Sequence, residues 1–151
     1  MNRYFYLKRW PPVREGLLVV VDAFQPEDLS FVPVEGGWSV GRTILHISSA
    51  ANYWLHSGIL SSESVYRSGE STLDNYPTIE AIKTFLAEEH QRTLGLLEAF
   101  DENNWIKRFP YPDGYAYPPS WVFWHVLEHE IHHRGELSLA SGILGREGLD
   151  V

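Results

Sequence analysis

The sequence predicts an all-α fold, a four-helix bundle with a long crossover and a short hairpin-like loop before the last helix. Two observations carry this. Four stretches repeat apolar residues at helical spacing, and polar or Pro/Gly-rich segments separate them. The one run that could be a buried strand, residues 17–21, has no later run of comparable strength to pair with. At 151 residues the chain has the length of a single domain, taken as 1–151. In such bundles ligand sites are built from side chains on facing helices.

The first helix is read over residues 13–24, where Val13, Leu17, Val20, Val21 and Phe24 share a face and Pro11 and Pro12 suit the opening turn. Whether residues 4–10 add a turn to it stays open. Residues 25–37 carry Pro26, Pro33, Gly36 and Gly37 and read as a loop. A second helix is expected from about 38 to 60, opened by Trp38 or Ser39, with Val40, Ile44, Ile47, Ala51, Trp54 and Leu55 as its stripe. Residues 61–76, rich in Ser and Glu, are long for a turn and read as the crossover. Pro77 and Thr78 open a third helix to about Phe100, with its stripe at Ile79, Ile82, Leu86, Leu94 and Leu97. Residues 101–120 combine four prolines with five aromatics and Asp113-Gly114, the pattern of a short irregular hairpin. The last helix runs from about Pro119 to Leu144 and stops near Gly145.

Composition narrows the function. The formal charge is −8 and Lys and Arg form no run, which argues against nucleic acid as a partner. There is no cysteine, hence no disulfide, thiolate ligand or thiol nucleophile. The first ten residues lack the apolar region of a signal peptide, and no apolar run approaches the ~20 residues of a membrane span. These features lead us to expect a cytoplasmic protein with no membrane partner.

Four of the seven histidines fall in residues 121–136. His125, His129 and His133 are spaced four apart, so a helix stacks them on one face, with His132 beside the last. Trp121, Val122, Phe123, Trp124, Val126, Leu127 and Ile131 leave little of this helix for water, so a solvated polar face is the weaker explanation and a bound metal ion the stronger. His129-Glu130-Ile131-His132-His133 also matches H-E-x-x-H, in which two histidines hold zinc and the glutamate activates water. The extended protease form fails, since position 136 is Glu, position 139 is Leu and the sole methionine is Met1. On the second helix His46 has Thr43, Ala50, Tyr53 and Ser57 within about a quarter turn. Taken alone, such a histidine is more often a core residue. His56 points about 80° from it and reads as a surface or rim residue, and His90 reads as a partly exposed edge of the third helix's stripe before a residue of the pocket.

The helix holding Trp-Ser-Val-Gly-Arg-Thr-Ile-Leu-His-Ile, together with His-Glu-Ile-His-His-Arg-Gly-Glu-Leu about 80 residues later, resembles the DinB/YfiT-like family of metal-binding four-helix proteins. The resemblance covers nearly the whole chain. It places the family's three metal ligands on His46, His129 and His133. His125 then sits where relatives often carry a non-ligand histidine, while His132 and Arg134 match positions of less settled role. Glu130 and Glu136 are not fixed by the family, so their roles rest on geometry: Glu130 as general base, Glu136 and His125 as partners that orient ligands. The resemblance implies a divalent metal with a fourth coordination position open to water or substrate. All-nitrogen ligation suits zinc, and nickel, copper and iron are compatible. It further implies a metal-dependent enzyme on a small molecule, either a hydrolase or a transferase of a low-molecular-weight thiol such as bacillithiol or mycothiol. The alternative is a metal-binding or stress-associated protein without turnover. Relatives of this fold often pair, and the tryptophan-rich helices lead us to expect a homodimer. Trp38, Tyr53, Trp54, Trp121 and Trp124 are candidates to line an apolar pocket, though each reads more readily as core.

Overall fold

The computed structural model describes residues 2–59 and 71–146. Its four helices are α1 (Arg3–Asp22), α2 (Val40–Trp54), α3 (Ile79–Ala99) and α4 (Pro119–Ile143). Ser39 caps α2 by accepting from the Arg42 N–H, and Thr78 caps α3 by accepting from the Ala81 N–H. Past α4, Gly145 takes φ +72°, a conformation that stops a helix and that glycine adopts without strain. The expected hairpin is present as two short antiparallel strands, β1 (Phe109–Pro110) and β2 (Ala116–Tyr117). Gly114 turns it at φ +86° while the Asp113 side chain accepts from the Tyr115 N–H. The loop between α1 and α2 contains a 3₁₀ turn, Pro26–Ser30.

α4 packs chiefly against α1 and α2, and α3 packs against the same two. Helices α1 and α2 therefore stand across a diagonal, as do α3 and α4. Residues 23–39 and 100–118 span those diagonals. The predicted crossover at 61–76 joins the neighbours α2 and α3 and lies largely outside the described residues.

α1 is longer than its apolar periodicity suggested. It starts at Arg3, so Pro11 and Pro12 lie inside the helix and not in its first turn. Each removes a backbone N–H from the ladder. The turns before them persist because Tyr6 and Trp10 are each 1% exposed, and the Trp10 indole N–H donates to Glu130 Oε2 at 2.9 Å. Tertiary anchoring overrides the local penalty.

The interior has two apolar halves. One gathers Leu17, Val20, Ile44, Ile82, Leu86 and Leu137 and the other Tyr6, Trp10, Leu55, Leu97, Phe123 and Val126. Each helix changes from one set to the other through buried polar residues: Arg14, Ser48, Glu89, His90, Thr93 and Glu130. Arg14 Nη2 donates to Glu130 Oε2 at 2.9 Å, with both residues nearly fully buried. The Asn52 amide donates to Glu89, and so does Arg92.

His90 is buried at 7% exposure, not at a partly exposed edge, because its line on α3 continues into this layer. His56 is also buried, not on the rim, because Leu55–Ile59 winds as a π turn and shifts its direction from the α-helical one.

Two consequences can be measured. Glu130→Ala leaves the Arg14 charge buried without its partner, so urea unfolding should give a loss of about 3–5 kcal/mol. His90 is held to about 4 by burial and then by the Arg14 charge, so the fold favours its neutral form. A depressed histidine contributes stability above its unfolded pKa near 6.5 and loses it as pH falls through about 4. The acid loss between pH 7 and 4 should shrink in His90→Gln by on the order of 3 kcal/mol, at about 1.4 kcal/mol per pKa unit.

A candidate metal centre between α2 and α4

His46 on α2 meets His129 and His133 on α4. The Nε2 atoms of His46 and His129 are 3.1 Å apart, and those of His129 and His133 are also 3.1 Å apart. The three side chains each bring a nitrogen within 4.8 Å of the others. On the far side of its ring His133 is tied to Glu136, Nδ1 to Oε2 at 2.6 Å. An ionised carboxylate only accepts, so His133 Nδ1–H is the donor in this contact and Nε2 is the ring nitrogen that faces the neighbouring histidines. A proton on His129 Nε2 can serve His46 or His133 but not both. Lone pairs in this arrangement face one another, and a cation relieves all of them at once. The donor set therefore fits a divalent metal ion.

The electrostatics agree. Burial, followed by the neighbouring His133 and His46, pushes the His129 imidazole down to about 3. Burial, His133 and Arg42 also lower His46, opposed by Glu136. Both rings are thus neutral at pH 7, the protonation state in which imidazole ligates a metal.

Glu130 is not part of this group. It was expected to be a general base, but its carboxylate points into the bundle and accepts from Trp10 and Arg14. The structure corrects that expectation: the glutamate of this H-E-x-x-H stretch is buried against Trp10 and Arg14 and stands outside the group of three histidines. Glu136 occupies the orienting role instead and also reaches His132, Oε1 to Nε2 at 3.1 Å. Arg134 lies over Gly16 of α1, where a β-carbon would come within 2.5 Å of its Nη1, so its place is in the helix contact. His125 stacks on Trp121 at 4.7 Å, stands edge-on to Trp54 at 4.9 Å and has its ring centre 6.1 Å from that of His129.

Trp38 also belongs to the site. It meets His46 edge-on at 4.6 Å, lies nearly parallel to His133 at 6.5 Å, and has the Arg42 guanidinium 4.4 Å from its ring centre. Two cavities adjoin the histidines. One, of about 260 Å3, is lined by His46, Ser49, Ala50, Tyr53, Trp54, His125 and His129. The other, of about 530 Å3, reaches His133 from the opposite end of the group, along Trp38 and the 33–37 loop. Trp121 stacks on His125 and Tyr117 and lines neither, and Trp124 is 41% exposed.

The sequence model of the DinB superfamily matches residues 12–137. The chain belongs to the DinB superfamily. Three solved structures are similar to it. A DinB-like protein from Bacillus cereus has TM-score 0.79 at 21% identity, covering 97% of this chain and 95% of the other. The DinB-like protein YjoA from Bacillus subtilis has 0.77 at 16% identity, covering 96% and 95%. YfiT from Bacillus subtilis, described as a probable metal-dependent hydrolase with an unusual four-helix bundle topology, has 0.67 at 20% identity, covering 93% and 87%. No curated protein matches the chain. The similarity to these structures establishes the shared fold. No helix among the described residues is long and apolar enough to cross a membrane.

The Glu136 contact gives a direct test. Any divalent ion held by the three imidazoles should bind 10- to 100-fold more weakly to Glu136→Ala, the usual worth of a carboxylate that orients a ligand histidine, while the circular dichroism stays unchanged. Competition with a chromophoric chelator measures it.

Proposed function

We propose that this chain is a metal-dependent enzyme acting on a small molecule, with a divalent ion, zinc in the first instance, held by His46, His129 and His133. One observation carries the reading: three imidazoles from two helices converge with their Nε2 atoms, one of them fixed by Glu136. With three protein ligands, such an ion supplies Lewis acidity and keeps a coordination position for an exogenous molecule. The cavities beside the triad favour an enzyme over a sealed metal store, because they give that molecule room. The description of YfiT as a probable metal-dependent hydrolase supports hydrolysis.

The chain's own residues refine this reading. With Glu130 committed to Arg14, His125 is the further imidazole that the smaller cavity offers beside His46 and His129, with the Tyr53 phenol also in its wall. Burial lowers its pKa, so it is neutral at pH 7 and able to take a proton from a nucleophile lodged there. Among the described residues lining that cavity there is no carboxylate, which favours, as a second reading, transfer of a low-molecular-weight thiol. A thiol has a lower pKa than water and needs a weaker base.

Metal content and turnover decide between these. About one ion per chain should be found in the wild type, lost in His46→Ala, His129→Ala and His133→Ala and kept in His125→Gln. Full occupancy in His46→Ala with loss in His125→Gln would identify a different triad. On ester and electrophile panels, His125→Gln should lower the rate roughly 10²–10⁴-fold with metal retained. Dependence on added thiol separates transferase from hydrolase. Turnover unchanged by chelation would refute both.

A further inference from the structure

The cavity of about 530 Å3 that reaches His133 has the size of a small-molecule site. Its wall is largely apolar: Pro33, Val34 and Trp38 from the link before α2, and Leu137, Leu139 and Ala140 from α4. The polar side chains that line it are Thr43, His133 and Glu136. His133 and Glu136 are bonded to each other, and Thr43 stands about one turn before His46 on α2. The polar lining is thus associated with the triad, and the remaining side chains offer no charge. Val34 and Leu139 are 68% and 65% exposed, so large apolar groups are left in water around this concavity.

We propose that the substrate is amphiphilic, with a polar reacting group at the triad and an aliphatic chain or aromatic ring in this cavity, packed along Trp38. This rests on the reading of the triad as a metal site and adds the substrate's chemical class to it. Trp38 couples the two parts, since its ring touches His46 and also lines the apolar cavity. A second copy of the chain is the competing occupant. The concave shape and the ligand histidine in the lining favour a small molecule, because a partner surface would more readily seal a flat face.

The test is calorimetry with n-alkyl hydroxamates, from acetohydroxamate to octanohydroxamate, on the full chain loaded with zinc and again on metal-free protein. The dependence of Kd on chain length reports the cavity, and the change on zinc loading reports the triad. Each added methylene should tighten binding about three- to fourfold until the cavity is full, the worth of a buried methylene. Val34→Asp and Leu139→Gln, at exposed positions, should flatten this dependence and leave acetohydroxamate unchanged. Binding that strengthens with zinc but ignores chain length would overturn the inference while the metal reading stands. A chain-length dependence without any zinc effect would overturn the metal reading and leave the apolar subsite. Light scattering showing a dimer that both substitutions split, with no chain-length dependence, would assign the apolar rim to a second copy and overturn the inference.

Discussion

The Arg14–Glu130 ion pair sets the geometry on which the site depends. Two charges taken out of water are costly unless each is well bonded. Here Glu130 Oε2 accepts from both Arg14 and the Trp10 indole, and Arg14 also reaches the Ser48 hydroxyl and the Leu86 carbonyl at 3.4 Å. One guanidinium thereby touches α2, α3 and α4 from α1. Because Glu130 must face it, the rotation of α4 about its axis is restricted. His129 and His133 lie about 100° and 60° from Glu130 in helical projection, which places them at the edge of α4 that meets α2. The candidate metal centre is thus positioned from the bundle interior.

The diagonal arrangement of the helices serves the same end. If α1 and α2 were principal neighbours, α4 could not contact both. With α1 and α2 across a diagonal, α4 takes Arg14 from one side and His46 from the other. The polar layer between the apolar halves is a cost accepted at this level of the bundle. Its members bond one another across sequence separations such as 116 residues for Arg14 and Glu130 and 37 for Asn52 and Glu89.

Those separations explain what was legible in the sequence. The spans of α3 and α4, the caps of α2 and α3 and the Asp113-Gly114 turn depend on neighbours in the chain, and they were readable. The convergence of His46 with His129 and His133 was accessible because the family pattern supplies a long-range pairing that periodicity cannot. Glu130 was misread because H-E-x-x-H is a local pattern, whereas its role is decided by Arg14. A signal was nevertheless present. Glu130 falls on the stripe of Val126, Leu127 and Leu137, and Arg14 falls between Trp10 and Leu17 on the stripe of α1. A buried carboxylate and a buried guanidinium, each on an otherwise apolar face, call for each other. His56 was not legible, since a π turn leaves no mark in the spacing of apolar residues. Nor was the helical course through Pro11 and Pro12, which depends on Trp10 finding Glu130.

The division of labour between elements bears on how this fold can host different reactions. The triad and its support come from α1, α2 and α4, whose interior faces are constrained by packing and by the ion pair. The larger cavity takes much of its wall from the link before α2, where Pro33, Val34, Gly36 and Gly37 are free of the bundle core. The smaller cavity is bounded by Trp54, which packs on Tyr111 and Tyr117 of the hairpin region and whose carbonyl accepts from the Tyr111 hydroxyl at 2.7 Å. Substitutions in the link or the hairpin can therefore reshape what lies beside the histidines at little cost to the helices that hold them. Within such a scaffold the histidine group and the helices that carry it are separable from the loops beside them, so the walls of the two cavities bear on the reaction more closely than membership of the superfamily does.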